Sequence, residues 1–344
     1  MTFQVLQYNV FGRPNEVSKD GQAERLARVP ASLLAISKDI DVVTFAEADV
    51  QGEREAMLDA FQHLGFPYST TILHDPNPFT SLINGGVLVV SKWPIVREAQ
   101  HIYRHACHYS DCLAAKGVKY ARVVKTVDNT IKVFNVFATH MQAWSTPQGR
   151  GDRVLQAQQM REFVDAMQIP HHEPLIFAGD FNVDNTTYKD EVQHLVDLLG
   201  AHMPKREWLD YVLWAKSPYQ QPMNSPTLES RVNQVAPFIV DWSAPKDNMR
   251  MQLTDISDHY PVLSTFEFAV NNSPGHDNDP NSVHLDGCST DDDCRFRNFR
   301  CYCRGPNCYF QGKRTDGWDL DSQHPVNRNC LYQKSSFKCL CGPN

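Results

Sequence analysis

The chain lacks any apolar run of the roughly 18 residues that a membrane-spanning helix needs, which excludes an integral helical membrane protein. Its first residues, MTFQV, contain neither the basic stretch nor the apolar stretch of a secretory leader. Hydrophobic residues make up 42% and charged residues 21% of the 344 residues, which excludes a mainly disordered or fibrous protein. This length and balance predict one large globular domain or two smaller ones.

Several common catalytic signatures are also missing. The sequence contains no G-x-S-x-G, no H-E-x-x-H, no phosphate-binding P-loop and no G-x-G-x-x-G that opens a helix. These absences argue against hydrolases with a nucleophile elbow, zinc proteases, P-loop nucleotide hydrolases and dinucleotide-dependent oxidoreductases. A catalytic site in this chain must therefore use another set of residues.

Basic charge is in short supply. The chain has 33 Lys and Arg residues and 40 Asp and Glu residues, which gives a net charge of −7. Residues 271–344 contain nine basic and nine acidic residues, so the whole net charge lies in residues 1–270. Nucleic-acid binding draws mainly on Lys and Arg contacts to phosphate. We therefore expect no nucleic-acid partner, whereas an acidic body suits the binding of divalent cations.

The ten cysteines indicate the kind of compartment in which the protein works. Cys107 and Cys112 are expected to close a small disulfide ring. The other eight lie in a segment with few apolar residues and no C-x2-C pair, which favours disulfides over zinc, with 105 possible pairings left open. Disulfides require an oxidising compartment, so we expect a secreted, extracellular protein whose leader has been removed. The eight are Cys288, Cys294, Cys301, Cys303, Cys308, Cys330, Cys339 and Cys341.

Composition divides the chain into three parts. Residues 1–268 alternate strand-like and helix-like stretches and form the predicted catalytic domain. Residues 269–287 are rich in Asn, Asp, Ser and Pro and form a predicted linker. Residues 288–344 have too little apolar surface for a core of their own, and they form a predicted small disulfide-rich module.

Hydrophobic periodicity predicts the elements of the first domain. Helical spacing covers residues 53–64, residues 152–167 with Asp152 as a candidate cap, and residues 24–37, which Pro30 should split. Mixed strands and helices at this length predict an α/β (α+β) domain with β-sheets at its centre. The predicted strands are 3–10, 41–46, 86–90, 131–139, 175–178 and 260–268.

Polar residues stand where the predicted strands end. Each alone has an ordinary explanation as a turn, cap or structural residue, but catalytic groups concentrate where strands pass into loops. Carboxylate and amide oxygens are ligands that Mg²⁺ prefers, and a histidine held by a carboxylate can take a proton from water. The set predicts metal-assisted hydrolysis of a phosphodiester. It comprises Asn9, Glu47, His140, Asp180, Asn182, Asp210, Asp258 and His259.

The order and spacing of these residues resemble the endonuclease/exonuclease/phosphatase superfamily over residues 3–268. This resemblance implies a four-layered sandwich of two packed β-sheets flanked by helices. The stretches LQYNVF, GGVLVVSKWPI, AKGV and THMQA look specifically like neutral and bacterial sphingomyelinases, with Met in place of the Leu in the last motif. The superfamily residues are Asn9, Glu47, His140, the GDFN run at 179–182 and the SDH run at 257–259.

The resemblance implies a metal site. Glu47, with Asn9 nearby, would hold a central Mg²⁺; one or two ions are expected, with Mn²⁺ or Co²⁺ as substitutes. The remaining residues expected in the network of metal, water and phosphate are Asp180, Asn182, Asp258 and His259.

Catalytic roles are implied in the same way. His259 would be the general base, oriented by Asp210, and His140 would hydrogen-bond the phosphoryl oxygens. Asp180 and Asn182 would position water and phosphate.

Three further residues are candidates for substrate binding. Lys116 is either a phosphate contact or a solvated loop lysine, and Gln142 belongs to the THMQA motif. Trp144 is a candidate for contact with a bilayer surface, since aromatic rings sit well at the level of lipid headgroups. Phe79, Phe238 and Trp242 are candidates on the same grounds.

These inferences together predict a secreted, Mg²⁺-dependent sphingomyelin phosphodiesterase that cleaves sphingomyelin to ceramide and phosphocholine. It would act as a monomer at a membrane surface that contains sphingomyelin. One alternative is a secreted DNase I-like nuclease with the same metal site. A second is a binding protein that acts through its cysteine-rich tail on a catalytic-fold scaffold.

Overall fold

The computed structural model describes residues 1–75, 81–128, 130–203, 209–244 and 247–270, with six strand segments between residues 294 and 341. The chain divides into two compact units, Met1–Asn272 and Ser273–Asn344. Most of the predicted linker lies outside the described residues, so the boundaries expected at residues 268 and 288 stay predictions.

The first sheet of the larger unit has six strands, which are numbered with all others along the chain. They are β1 (Thr2–Gly12), β3 (Val42–Ala48), β4 (Tyr68–Ser69), β5 (Leu88–Ser91), β12 (Thr227–Ser230) and β15 (Val262–Glu267). Their order across the sheet is β12-β15-β1-β3-β5-β4. β1 runs parallel to β3 and antiparallel to β15, so it lies at the centre of the sheet.

The second sheet also has six strands. They are β6 (Ile95–Ile102), β7 (Gly117–Val127), β8 (Thr130–His140), β9 (Leu175–Asp180), β10 (Ala201–His202) and β11 (Asp210–Ala215). Their order is β10-β11-β9-β8-β7-β6, and β8 and β9 are parallel. A smaller sheet consists of β2 (Lys19–Asp20) and a hairpin of β13 (Gln234–Ala244) and β14 (Asp247–Asp255).

Helices connect the strands. In the described residues, no helix has both the length and the apolar character needed to cross a membrane. The helices are α1 (Gln22–Leu26), α2 (Val29–Ile36), α3 (Gln51–His63), α4 (Pro147–Ala166) and α5 (Lys189–Leu199), with a 3-10 helix at Tyr109–Leu113.

Three apolar clusters arrange these elements in four layers. One fills the space between the two sheets, with Phe3 and Val5 of β1 in the same cluster as Phe134 and Val136 of β8. The other two pack α1–α3 onto the first sheet and α4–α5 onto the second. The predicted α/β sandwich of two β-sheets flanked by helices is therefore confirmed.

β1 serves two of these clusters because its side chains alternate. Phe3 and Val5 belong to the cluster between the sheets, whereas Leu6, Tyr8 and Val10 belong to the cluster with the helices. Successive residues of a strand face opposite sides, and a strand buried on both faces is apolar almost throughout. A polar residue that shares the strand face of Phe3 and Val5 therefore lies between the sheets.

The helix predicted over residues 24–37 is divided as expected. α1 ends at Leu26, and α2 begins at Val29 with Pro30 in its first turn, where the missing N–H of proline breaks no helical hydrogen bond.

The predicted cap of α4 is wrong. α4 begins with Pro147, and Thr146 is the N-cap, with its Oγ1 accepting a hydrogen bond from the Gly149 N–H at 3.1 Å. Asp152 lies inside the helix, and its Oδ2 is 2.7 Å from Nδ1 of His108. Gly149 and Gly151 interrupt the hydrophobic periodicity of the first turns, so the pattern does not reveal this part of the helix.

The predicted disulfide between Cys107 and Cys112 is confirmed, with a Cα–Cα distance of 5.3 Å. It closes a ring that includes the first turn of the 3-10 helix.

The smaller unit contains a four-stranded and a two-stranded antiparallel sheet. The backbone register places Cys294 opposite Cys301, Cys303 opposite Cys308 and Cys330 opposite Cys341. The side chains of this unit lie outside the described residues, so its disulfides stay a prediction. The strands are β16 (Cys294–Phe296), β17 (Phe299–Arg304), β18 (Asn307–Arg314), β19 (Gly317–Leu320), β20 (Cys330–Gln333) and β21 (Lys338–Cys341).

Phe134 is expected to be a main contributor to stability. It is fully buried between the sheets, and its ring stacks on that of Phe3 at a centroid distance of 3.7 Å. Phe134→Ala should lower the free energy of unfolding by about 3–5 kcal/mol, measured by urea denaturation, because it leaves a cavity. Met223→Ala, at an exposed position, should change it by less than about 0.5 kcal/mol. Equal stability of the two variants would contradict this account of the core.

Candidate active site

Polar side chains replace apolar ones at one end of the space between the sheets. On β1, the row that begins with Phe3 and Val5 continues with Gln7 and Asn9, and all four are fully buried. Because residues two apart share a face of a strand, both amides point toward the second sheet. The apolar core thus gives way to a polar cluster.

The second sheet supplies three residues from neighbouring strands. His140 ends β8 and lies beside Asp180, which ends β9, and Asp180 is paired in turn with Asp210, which begins β11. Ala138 and Ala178, two residues earlier, belong to the cluster between the sheets. His140 and Asp180 therefore face the same space as Asn9.

Asn9 links the two sheets at this point. Its Nδ2 donates to Oδ2 of Asp180 at 2.9 Å and to Oε1 of Glu47 at 3.1 Å. Its Oδ1 accepts a hydrogen bond from the backbone N–H of Phe11 at 3.0 Å, which fixes the orientation of the amide. Residues predicted from separate strand ends are thus brought into direct contact.

Glu47 has an unusual backbone conformation. Its φ of 55° lies in the left-handed region, which a residue other than Gly, Asn or Asp rarely adopts. A Cβ at Gly86 would lie 2.8 Å from Cα of Glu47 and 2.5 Å from Oδ1 of Asp49, so only glycine fits there. Close packing by the GGV stretch holds Glu47 in this conformation, which costs of order 1–3 kcal/mol.

The cluster fits a divalent cation. Oε2 of Glu47 is buried and has no hydrogen-bond partner among the described residues. Ligand atoms of Glu47, His140 and Asp180 lie within 4.8 Å of one another, as do those of Asp180, Asp210 and His259. An unpaired buried carboxylate oxygen beside other hard oxygen donors suits Mg²⁺.

The raised pKa values of the two buried carboxylic acids also favour a cation site. Burial raises the pKa of Glu47 above its ordinary value, and the hydrogen bond from Asn9 only partly opposes this. Burial, with the charge of Asp210 adding to it, raises the pKa of Asp180 to about 7. A bound cation would favour the ionised form of both side chains.

His259 and Asp210 form a close pair. Nδ1 of His259 lies 2.5 Å from Oδ2 of Asp210, and Nε2 lies 3.9 Å from Oδ2 of Asp180. Because a carboxylate oxygen only accepts, Nδ1 carries a hydrogen and Nε2 faces the cluster. Oγ of Ser257 accepts from the His259 N–H at 3.2 Å and donates to the carbonyl of Asn9 at 2.7 Å, which ties the pair to β1.

The two histidines are in opposite protonation states. Burial opposes charge on His259, but the hydrogen bond and charge of Asp210, together with Asp180 and Asp258, raise its pKa to about 10. Burial, Lys116 and His259 lower the pKa of His140 well below its ordinary value. His140 is therefore neutral, and its contacts of 3.7 and 3.8 Å with Asp180 and Glu47 are not ion pairs.

Asn182 and Lys116 meet at one carbonyl group. Nδ2 of Asn182 donates to the carbonyl of Met141 at 3.0 Å, and Nζ of Lys116 donates to the same oxygen at 3.1 Å. Lys116 is buried, so it is not a solvated loop lysine, and its Nζ also lies 3.5 Å from Oδ2 of Asp111. Asn182 has a φ of 53°, and its backbone N–H donates to Asp180 at 2.9 Å.

The remaining predicted residues lie around this cluster. Asp258 is exposed, and its Oδ1 lies 3.3 Å from Oγ of Ser257. Gln142 is buried, and its side-chain atoms bond backbone groups of His108 and Ala143, so it orders the loop after β8. Trp144 is 58% exposed.

The other aromatic candidates for surface contact differ. Phe238 is buried beneath the guanidinium of Arg28, which lies 4.2 Å from its ring centre, so its prediction as an interfacial residue is wrong. Trp242 is partly buried, and Phe79 lies outside the described residues.

Sequence reasoning missed several residues that support the cluster. Gln7 donates to Asp210, and Asp111 accepts from the Ala143 N–H at 2.6 Å. The signal for Gln7 was present, since it stands two positions before Asn9 in an otherwise apolar strand and so shares its face. Asp111 has no comparable signal, because the disulfide ring brings it to the site.

Comparison with known proteins identifies the family. Residues 6–259 match the Endonuclease/Exonuclease/phosphatase family. The chain belongs to this family. The match runs from β1 to His259 and therefore includes all of the polar side chains that converge at the end of the sheets.

Individual relatives are named sphingomyelinases or toxins. The chain is 27% identical to a sphingomyelinase C of Leptospira interrogans over 317 residues, which cover 80% of this chain but only 53% of that protein. It thus spans about half the length of that relative. The crystal structure of sphingomyelinase C from Streptomyces griseocarneus is 26% identical, with a TM-score of 0.67, over 77% of this chain and 99% of that one.

A third comparison supports the fold. A crystal structure of beta toxin from Staphylococcus aureus with bound magnesium ions is 23% identical, with a TM-score of 0.65. The match covers 78% of this chain and 100% of that one.

Asp180→Asn should stabilise the metal-free protein. The pKa of Asp180 is about 7 in the folded chain against a usual 3.8, so its ionisation removes stability progressively as the pH rises through this range. In EDTA, the variant should melt several degrees above wild type at pH 8, with a smaller difference at pH 5. A gain of 1 kcal/mol corresponds to roughly 2–4 °C for domains of 150–250 residues.

The same variant should lose its response to metal. Added Mg²⁺ should raise the melting temperature of the wild type and leave that of Asp180→Asn nearly unchanged, measured by scanning calorimetry. A variant that melts below wild type at pH 8 in EDTA would contradict the electrostatic account of the cluster.

Proposed function

We propose that this chain is a phosphodiesterase that hydrolyses sphingomyelin to ceramide and phosphocholine, with Mg²⁺ as its cofactor. The observation that carries the proposal is the convergence of Asn9, Glu47 and Asp180 beside the pair of His259 and Asp210. These residues supply the two parts that direct hydrolysis by water requires, a cation site and a base.

Glu47 and Asp180 are the residues that would hold the cation, with Asn9 positioning both carboxylates through its Nδ2. Mn²⁺ or Co²⁺ would substitute for Mg²⁺. When bound, the ion supplies positive charge that stabilises negative charge developing on the phosphoryl oxygens. A second ion would lie near Asp180 and His259, where Asp258 adds negative charge. The unpaired Oε2 of Glu47 supports this assignment.

His259 is the general base. Its Nε2 takes a proton from the attacking water as the water oxygen bonds to phosphorus. The bond from phosphorus to the ceramide oxygen breaks, and that oxygen takes up a proton from solvent water to give the ceramide hydroxyl. Asp210 holds the ring through Nδ1 and stabilises the imidazolium that forms. Asp180, when it holds a cation, would contribute less to raising the pKa of His259, which favours the neutral imidazole that a base requires.

His140 and Asn182 contact the phosphate. His140 is neutral, so its Nε2 can serve as a hydrogen-bond donor to a phosphoryl oxygen without forming an ion pair. Asn182 is held through its Nδ2 by the carbonyl of Met141, which leaves its Oδ1 for water or a cation. Lys116 adds positive charge behind this carbonyl and acts on the phosphate through the field it creates.

The lipid substrate is supported by the relatives named sphingomyelinase C. Charge also favours it over nucleic acid. The headgroup of sphingomyelin is zwitterionic, so the net charge of −7 does not repel it, whereas a polyanion would be repelled.

An apolar rim supports action at a membrane surface. The N–H of Leu82 donates to the carbonyl of Leu113 at 2.9 Å, which joins the loop of Leu82 to the 3-10 helix. Asp111 of the same helix accepts from the N–H of Ala143, the residue before Trp144. These hydrogen bonds join three loops that carry exposed apolar side chains. The rim consists of Leu82, Tyr109, Leu113 and Trp144, all exposed.

The disulfide between Cys107 and Cys112 supports a location outside the cell, because such bonds persist in oxidising compartments. The protein would be secreted and act as a monomer that binds the membrane surface peripherally.

His259→Gln should lower kcat by about 10²–10⁴-fold, the usual contribution of a general base, while the melting temperature stays near that of wild type. Glu47→Gln should abolish Mg²⁺-dependent turnover. Phosphocholine release from sphingomyelin liposomes is the measurement, and EDTA should stop it reversibly.

The matched controls are His63→Gln and Glu55→Gln, which make the same chemical changes at exposed positions of α3. Both should keep wild-type rates. Wild-type turnover by His259→Gln or by Glu47→Gln would refute the assignment of the site.

A substrate panel separates the lipid from other phosphodiesters. The purified chain should release the headgroup from sphingomyelin liposomes in Mg²⁺ and leave supercoiled plasmid DNA intact. Ceramide phosphoethanolamine, lysophosphatidylcholine and phosphatidylcholine, in parallel, define the headgroup and backbone range. Nicking of the plasmid without lipid cleavage would establish a nuclease instead.

Trp144→Ala should weaken binding to liposomes by about tenfold, since loss of about 1.5 kcal/mol of burial corresponds to that factor. Turnover of a water-soluble phosphocholine ester should be unchanged, because the ring is exposed and outside the polar cluster. Met223→Ala is the control, because Met223 is exposed and far from the site. Its backbone N–H bonds the carbonyl of Glu267, which is paired with Thr2 at the end of β1 opposite Asn9. Equal liposome binding by both variants would rule out Trp144 as a membrane contact.

A further inference from the structure

We infer that Gln7 is a positioning residue that holds Asp210, and through it His259, in the geometry required for proton transfer. Its effect on turnover rests on the proposed function, whereas its effect on the geometry of the pair does not. Gln7 lies on the central strand of the first sheet, two residues before Asn9, and is fully buried.

The contacts of Gln7 form a continuous chain. Nε2 of Gln7 donates to Oδ1 of Asp210 at 3.1 Å, and Oε1 accepts from Oγ1 of Thr44 at 2.5 Å. Asp210 then accepts from Nδ1 of His259 through its other oxygen, at 2.5 Å. A line of hydrogen bonds, buried as far as Asp210, therefore runs from Thr44 through Gln7 and Asp210 to His259.

The chemistry of the partners fixes the direction of this line. A carboxylate oxygen cannot donate, so the NH₂ of Gln7 must face Asp210 and its carbonyl oxygen must face Thr44, whose hydroxyl donates. Thr44 is the partner of Gln7 in the parallel register of β1 and β3, so the backbone holds both side chains on one face. The orientation of the amide is therefore determined from both ends.

The amide of Gln7 fixes the orientation of the Asp210 carboxylate through a hydrogen bond to Oδ1. Asp210 is buried, and in the described part of the chain its Oδ1 accepts from Gln7 and its Oδ2 from His259. Without Gln7, Oδ1 would lose its donor, and the carboxylate would be free to rotate about χ2 and carry the imidazole with it. Outer partners that orient a reactive group affect rate more than substrate binding.

Gln7 also joins the two layers of the sandwich at the site. Gln7 and Thr44 belong to the first sheet and Asp210 belongs to the second, so the bond spans the gap between them. Asp210 is therefore held from the first sheet by Gln7 while its other oxygen accepts from His259.

Gln7→Met tests the inference, because methionine keeps the volume of the side chain and removes both hydrogen-bonding groups. The variant should lose about 10- to 100-fold in kcat with little change in KM. The downfield ¹H NMR signal of the hydrogen-bonded Nδ1–H of His259, assigned by its absence in His259→Gln, should shift or broaden.

Two further variants distinguish positioning from stability. Gln22→Met makes the same change at another buried glutamine, which bonds the backbone of Arg13, Ser18 and Asp20 and should leave kcat and the signal unchanged. Thr44→Val removes the donor to Gln7 and should shift the signal in the same direction by a smaller amount.

Each outcome decides the inference. A shifted signal and a lower kcat in Gln7→Met, absent from Gln22→Met, support it. A wild-type signal in folded Gln7→Met overturns it, as do equal losses of kcat in the two variants. If Gln7→Met does not fold, the signal of Thr44→Val decides in the same way. If wild type cleaves no lipid, the proposed function fails, while the NMR signal still tests the role of Gln7.

Discussion

The burial of two carboxylates with little compensating positive charge is the constraint on which the site depends. Glu47 and Asp180 lie between two β-sheets, and in the described part of the chain no lysine or arginine forms an ion pair with either. Burial raises both pKa values, so the two ionised carboxylates by themselves work against the folded state. A divalent cation bound by these carboxylates would supply the missing charge and make the arrangement favourable.

The neighbouring residues keep this unfavourable cluster in place. Asn9 bonds both carboxylates across the gap, Gly86 holds the left-handed backbone of Glu47, and Ser257 ties the His259 segment to β1. Their common effect is to fix the reactive groups before any ligand binds. Such sites commonly trade stability for activity.

Much of this arrangement could be predicted from residue patterns, because each strand buries a simple apolar run that ends in a polar residue. Asn9, Glu47, His140 and Asp180 were found in this way. The start of α4 was missed because glycines weaken its periodicity, although Pro147 and its Thr146 cap form the true start. The hairpin of β13 and β14 was also missed, since a partly solvated pair of strands has no continuous apolar run.

The sequence by itself determined the composition of the site, the class of fold and the presence of a disulfide ring, because these follow from local patterns and residue chemistry. Tertiary structure alone decided which atoms meet. Asn9 and Asp180 touch because two sheets pack face to face, and Gln7 reaches Asp210 for the same reason. Hydrogen bonds between residues some 170–200 positions apart leave no periodic trace in the chain, since they depend on how the layers stack rather than on the order of residues within any one strand.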